Sequence, residues 1–452
     1  MDDDSHSRGT TMLAIAKMVD FPNKFREKLR VMSVNTLAVR CGFVQRTPRK
    51  IDPQNFVLSF FLMVLHGGYS LSSFAATLGL FERQCISKQA INKRIKEPLI
   101  RFLEELLAKA LTQGIHLHTK PKHHLLSTSF QRVLIHDSTS IRLDPSLAEH
   151  FPGARNARST RSATVKIQAM FDLLSERFRY FKITPFTVND QAAATAMIDC
   201  VQPGDLVIRD LGYFVLRVLH AIECKGAFFI SRLRYGITLY CFHDAETPLN
   251  LLKMLKKQQF LDIDVHIGTK EKLPVRLVAL PVATSVAAQR RRALRCNRDR
   301  RLNPSQHHLA LLGWDIFILN VDRSILTAVD VVEIYRLRWR IEIIFKAWKS
   351  HFRLADVPYS SVIRVQLYLH AMLIFLTLFH ANIYAPLALS ASGNQKIDLS
   401  LLKLSRFFKV QFWAMVLFAS QPRIIEQQVL YHCKYESRRK RQNFLQQLAR
   451  LG

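Results

Sequence analysis

YRLRWRIEIIFKAWK, residues 335–349, holds no Gly or Pro and predicts one helix. With Tyr335 set at 0° and about 100° per residue, Arg338 falls at about 300°, Glu342 at about 340° and Lys349 at about 320°. Those four residues share one stripe, while Ile341, Ile344 and Trp348 form a separate apolar face. A single carboxylate flanked by cations and a phenol, on a packed underside, suits a metal ion and a phosphodiester. Taken alone, the stretch reads more readily as a surface helix with an i,i+4 Arg–Glu pair. The rest of the chain decides between the two.

A chain of 452 residues is too long for one ordinary core and implies roughly two to four domains. Lys and Arg total 65 against 35 Asp and Glu, a formal charge of +30 that calls for a polyanionic partner, nucleic acid first and a membrane surface second. The seven cysteines are scattered with no C-x-x-C, which argues against a zinc site or a disulfide framework and for a reducing compartment. The opening MDDDSHSRGT does not read as a signal peptide. Gln366 to Leu387 is uncharged, but it contains His370, His380, Asn382 and a Pro, and reads as a buried core helix rather than a membrane span.

Residues 1–125 are expected to be helical beyond a loose tail of about 20 residues. Ser72 to Leu78, a turn at Gly79, an N-cap at Ser87 and a basic segment through Arg94 and Ile95 suggest a helix-turn-helix, with a plain helical bundle as the alternative. His116, His118, His123 and His124 lie in a polar stretch that reads as a linker rather than a metal tract.

The pattern changes near residue 126. RVLIHDSTSIRL is a strand ending at Asp137, and a basic loop with Arg155, Arg158 and Arg161 follows. Then come strands over 164–172 and 178–184, a helix over 190–200, a strand ending at Asp210, a helix over 213–224 and a strand over 227–233. The order β-β-β-α-β-α-β is the plan of an RNase H-like α/β core, a mixed five-stranded sheet with flanking helices. A mostly β insertion, 234–321, interrupts it; 322–357 carries the glutamate helix, and 358–452 is helical again. Within the insertion, seven Arg in 290–301, led by Arg290, Arg291 and Arg292, favour phosphate contact over a solvated helix face.

In this topology Asp137 and Asp210 sit on neighbouring strands, with Glu342 on a helix across the same edge. Three convergent carboxylates suit a hard cation, Mg²⁺ or Mn²⁺. A pair of such ions serves in-line attack on a phosphodiester. These residues resemble the DDE transposases of bacterial insertion sequences, in the insertion-sequence-four family. The family's Y-x2-R-x3-E-x6-K signature stands as Tyr335, Arg338, Glu342 and Lys349, its D-x-G-Y as Asp210-Leu211-Gly212-Tyr213, and HDST surrounds Asp137. The resemblance spans roughly 130–357. It implies a cut-and-paste enzyme whose Asp137, Asp210 and Glu342 hold two metal ions, while Tyr335, Arg338 and Lys349 grip phosphates at the scissile end. It further implies double-stranded DNA as partner (terminal inverted repeats and a target), a homodimer through the C-terminal helices, and a place in the cytoplasm at the nucleoid. Trp314 is a candidate to stack a flipped base, with core packing as its alternative. An RNase H-like nuclease or resolvase that joins nothing, and an inactive DNA-binding copy, remain the alternatives.

Overall fold

The computed structural model describes residues 21–45, 51–67, 70–112, 124–154, 162–258, 260–296, 304–395, 397–418 and 420–436. The expectations for the N-terminal tail, His116 to His123, the loop with Arg155, Arg158 and Arg161, and Arg298, Arg300 and Arg301 lie outside these residues.

The chain begins with helices α1 (Phe21–Val31), α2 (Val34–Arg40), α3 (Pro53–His66), α4 (Leu71–Glu82), α5 (Lys88–Asn92), α6 (Glu97–Thr112) and α7 (His124–Ser129). Strands β1 (Arg132–Leu143), β2 (Ala163–Asp172) and β3 (Arg177–Pro185) follow, then α8 (Asp190–Ala196), β4 (Asp205–Arg209), α9 (Leu216–Cys224) and β5 (Phe228–Arg232). The insertion supplies β6 (Leu239–Tyr240), α10 (Leu251–Lys257), β7 (Leu261–Ile267), β8 (Leu273–Pro281), α11 (Thr284–Arg295), α12 (Gln306–Leu311) and β9 (Trp314–Leu319). Next come α13 (Ala328–Arg336), α14 (Trp339–His351), α15 (Val362–Phe379), α16 (Ala385–Gln395), α17 (Leu401–Leu417) and α18 (Pro422–Cys433).

The first five strands follow the expected order. β1, β2 and β3 form an antiparallel meander, and β4 and β5 add in parallel on the other side of β1. This is the α/β plan of the RNase H-like core. The insertion does not interrupt the sheet but extends it: β9 pairs antiparallel with β5, giving the single order β3-β2-β1-β4-β5-β9-β8-β7-β6. Leu261-Asp-Ile-Asp-Val-His-Ile267 alternates apolar and polar residues as a strand does, a pattern the sequence reading passed over, and β7 pairs along its whole length with β8. Arg276 of β8 ties the extension to the chain that enters α13. It is buried, pairs with Asp262 at 2.6 Å and donates to the Leu326 carbonyl at 2.7 Å.

Each face of the sheet is covered. On one side α8, α9 and α10 enclose a core that includes Met197, Leu219, Leu255 and the inward residues of β7 and β8. On the other, α14 and both helical ends of the chain share one core running from Phe25 to Cys433. α15 lies at its centre, every residue from Leu367 to Phe379 being buried. Among the described residues, the stretch Val362–Ser392 is long and apolar enough to cross a membrane, and 78% of its most apolar window is buried within the protein.

The expected helix-turn-helix differs in detail. Gly79 lies inside α4, and the helix ends at Arg83 in a left-handed conformation. A side chain at Gly79 would collide with the returning Gln84 carbonyl, so the glycine marks a close approach rather than the turn. Ser87 does cap α5, accepting from the Ala90 amide, but α5 stops at Asn92.

Candidate active site

β1 is longer than expected, so Asp137 lies within it rather than at its end. What ends there is its pairing with β4. The parallel register closes with His136 opposite Arg209, and the next residues on the two strands are Asp137 and Asp210. Alternation puts both on the face toward α14, with Ile135 and Ile208 beneath them in the larger core. Asp210 is extended and leads into a short 3₁₀ turn, Leu211–Tyr213. The D-L-G-Y motif fixes that turn from behind. Tyr213 is buried and donates to Gln168 Oε1 at 2.7 Å, while Gln168 and Lys166 both donate to Asp190. A β-carbon at Gly212 would stand 3.3 Å from the Asp190 carboxylate, closer than most neighbours tolerate.

The glutamate segment is not one helix. α13 ends at Arg336 and α14 starts at Trp339, and Leu337 and Arg338 form a tightened turn between them. There the amides of Leu337 and Arg338 reach back three residues, to the Ile334 and Tyr335 carbonyls. The apolar face is as expected: Ile341, Ile344 and Trp348 are buried, with Trp348 against Phe178 and Phe181 of β3.

Arg338 stands at the centre of the three carboxylates. Its guanidinium lies 2.8 Å from Glu342, 3.4 Å from Asp137 and 3.8 Å from Asp210, and stacks over the Trp339 ring. Arg338 and Asp137 are largely buried, whereas Asp210 and Glu342 are 42% and 37% exposed. The site is therefore a half-open carboxylate cup around a sunken cation. Burial pushes the Asp137 carboxyl up to about 6. Glu342 and Asp210 add to the rise, and the Ser138 amide and Arg338 oppose it. A site that holds its charge at this cost is a candidate for cation chemistry.

The other expected residues differ in depth and in surroundings, and those of the insertion make no contact with the three carboxylates among the contacts described. Tyr335 is buried against Phe317, with the Arg232 guanidinium over its ring and its hydroxyl pushed up to about 12 by burial and the Asp210 charge. Lys349 lies at the far end of α14 and donates to the Ser140 carbonyl of β1 at 2.9 Å. Trp314 opens β9 and is half-buried, packed against the smaller core. Arg290 pairs with Asp315, Arg291 donates to the Leu309 carbonyl, and Arg292 is exposed. The sequence reading passed over Arg232, which joins Asp315 to Tyr335, and Arg340, which is buried against Glu176. Position at the end of β5, one strand from Asp210, was the available signal for Arg232.

The donor set is all oxygen and all carboxylate, the chemistry of a hard cation such as Mg²⁺ or Mn²⁺. Its spacing is that of a guanidinium. Among the described residues no group of three or more His, Cys, Asp or Glu is drawn tightly enough to hold a metal ion as it stands. Asp137, Asp210 and Glu342 fit such an ion by chemistry and by convergence.

Residues 128–378 match the family model described as "Transposase DDE domain". The chain is similar to the transposase for insertion sequence element IS231B of Bacillus thuringiensis subsp. berliner, 26% identical over 80% of this chain and 79% of that one. It is similar to the transposase for insertion sequence element IS1151 of Clostridium perfringens, 27% identical over 86% and 85% of the two chains. It is similar as well to the transposase for IS231F of Bacillus thuringiensis subsp. israelensis, 28% identical over 66% of each. Among solved structures, a piggyBac transposase synaptic complex with hairpin DNA aligns with 93% of this chain and 85% of that chain, at 10% identity and a TM-score of 0.42.

Proposed function

The chain belongs to the DDE-domain transposases, DNA-binding enzymes that cleave DNA and transfer the cut strand, with the divalent-metal dependence of that family, and from that premise we propose that Asp137, Asp210 and Glu342 are its metal ligands. The observation that carries this reading is the convergence of three carboxylates, from β1, the end of β4 and α14, on the single cation of Arg338. The metal is Mg²⁺ or Mn²⁺, as two ions. When bound, they supply Lewis acidity, activating a water or a 3′-hydroxyl and stabilising the leaving oxygen.

The protein's own groups do the rest. Asp137 and Asp210 share one edge of a rigid sheet and fix where the scissile phosphate must stand. Arg338, once the carboxylates are committed to metal, has its planar fork for phosphate oxygens. Tyr335 and Lys349 extend that grip along the strand. Trp314 stacks an unpaired base, and Arg292 contacts the DNA backbone from the exposed side of α11, with Arg290 and Arg291 beside it. Residues 1–125 recognise the terminal inverted repeats, and the C-terminal helices from 358 onward bring two protomers together on paired ends. The enzyme works in the cytoplasm at the nucleoid.

Pre-cleaved ends with free 3′-hydroxyls test the transposase reading. Incubated with the protein, Mg²⁺ and a plasmid target, they should be joined to the target. Cleavage of intact ends without any joining would instead indicate a nuclease.

A further inference from the structure

Two residues before Glu342, Arg340 points the opposite way, about 200° around the helix axis. It is buried. Its Nη2 donates to Glu176 at 2.9 Å and to the Tyr384 hydroxyl at 2.8 Å, and the guanidinium lies over the Tyr384 ring. The Glu176 carboxylate also bonds His380 Nε2 at 3.0 Å.

Both partners sit on irregular backbone. Glu176 occupies the turn between β2 and β3 with a φ of 50°, uncommon for a residue with a side chain. His380 and Tyr384 are the first and last residues of a single π-helical turn, His380–Tyr384, set between α15 and α16. Such widened turns are rare and concentrate at functional sites. Here the wide turn presents both side chains to one spot. Two separate elements, a strained hairpin turn and a π-turn, thus converge on the buried cation of α14.

Stability alone does not account for the cluster. A buried ion pair typically gains little over apolar side chains of the same volume, because each charge loses its water. Ile341, Ile344, Phe345 and Trp348 already pack the helix, but apolar contact is less directional than a hydrogen bond and sets rotation about the axis less sharply. Hydrogen bonds fix it. Arg338 and Lys349 hold the two ends of α14 to the carboxylate edge and to β1, and Arg340 holds the middle from behind.

We propose that Arg340 is a positioning residue: its bonds to Glu176 and Tyr384 set the rotation of α14, and so hold the Glu342 carboxylate against Asp137 and Asp210. This rests on the reading of Glu342 as a metal ligand.

The test uses the full chain titrated with Mn²⁺ alone, the free ion being followed by electron paramagnetic resonance, beside thermal melting and the Mn²⁺ dependence of end cleavage. Tyr384→Phe removes one acceptor and leaves the packing. Arg340→Lys keeps the charge and loses the fork. Each should weaken Mn²⁺ binding about tenfold, as for residues that orient metal ligands. Each should shift half-maximal cleavage to higher Mn²⁺ by a similar factor, with cleavage recovering at saturating Mn²⁺. Lower melting temperatures with unchanged Mn²⁺ affinity would make the cluster structural only and overturn the proposal. Glu342→Ala is the control: if it too keeps wild-type Mn²⁺ affinity, the reading of Glu342 fails, independently of Arg340.

Discussion

Asp137 and Asp210 stand abreast, one residue beyond the last paired position, His136 with Arg209, of two parallel strands. Their spacing is therefore set by backbone pairing and not by side-chain choice. A third carboxylate, Glu342, comes from a helix locked across that edge, and Arg338 sits among the three.

The position of Arg338 predicts an inverse effect. Arg338→Ala removes the cation that the carboxylates surround, leaving three like charges together. The DNA-free, metal-free protein should lose on the order of 1–2 kcal/mol of stability, modest because two of the carboxylates are partly exposed. Divalent ion should bind more tightly than in wild type, since no guanidinium competes, while cleavage falls. Calorimetric titration with Mn²⁺ and thermal melting check both; weaker Mn²⁺ binding in the variant would refute the competition.

Asp137 gives a pH dependence with a definite sign. Its folded value of about 6 lies above its ordinary value. As pH rises from the ordinary value to about 6, the unfolded chain gives up this proton while the folded chain keeps it. Stability from this group is therefore lost over that window, and its full cost, up to about 3 kcal/mol, stands at neutral pH. Asp137→Asn should accordingly melt higher than wild type at pH 7.5 without metal, and lose the advantage towards pH 4. With metal present, protons and ions compete for the same oxygens. Cleavage should fall as pH drops through about 6, and that midpoint should move lower as Mg²⁺ is raised. A midpoint indifferent to Mg²⁺ would place the titrating group elsewhere.

How much of this was legible in the sequence varies with the range of the interactions. The β-branched run before Asp137, the D-L-G-Y turn and the apolar periodicity around Glu342 are local signals, and each led to the right neighbourhood. The join of β5 to β9 is not local. It pairs Ile230 with Leu319 across the whole insertion, and no period in either strand names its partner. The break at Leu337–Arg338 involves no Gly or Pro, and accompanies the sinking of the Arg338 side chain among three carboxylates, two of them from distant strands. Arg340 looked like one more basic residue, because its partners, Glu176 and Tyr384, lie 164 and 44 positions away.

Continuity of the sheet makes the insertion structural. Arg276→Met leaves the Leu326 carbonyl without its buried donor and the Asp262 carboxylate to the more exposed Arg323, at 3.2 Å. It should cost about 2 kcal/mol, read from urea unfolding. Excision of 234–321 would bare the edge of β5, and should give aggregated protein rather than a smaller folded core. A soluble, cooperatively unfolding deletion protein would contradict a single sheet.

Electrostatics should dominate DNA binding in a chain of this charge. The logarithm of affinity for end DNA should fall linearly with the logarithm of salt concentration, by about 0.9 per phosphate contact. Arg292→Ala, on the exposed face of α11, should reduce that slope by about one unit. An unchanged slope would remove this helix from the interface.

We propose that Asp137, Asp210 and Glu342 act together on a metal-dependent phosphodiester cleavage. Glu342→Ala tests it most directly, assayed with Mg²⁺ or Mn²⁺ on DNA carrying the element end, beside end binding by gel shift. Cleavage should fall by at least about a thousandfold, with end binding within about twofold of wild type. Cleavage at a comparable rate by Glu342→Ala would contradict it.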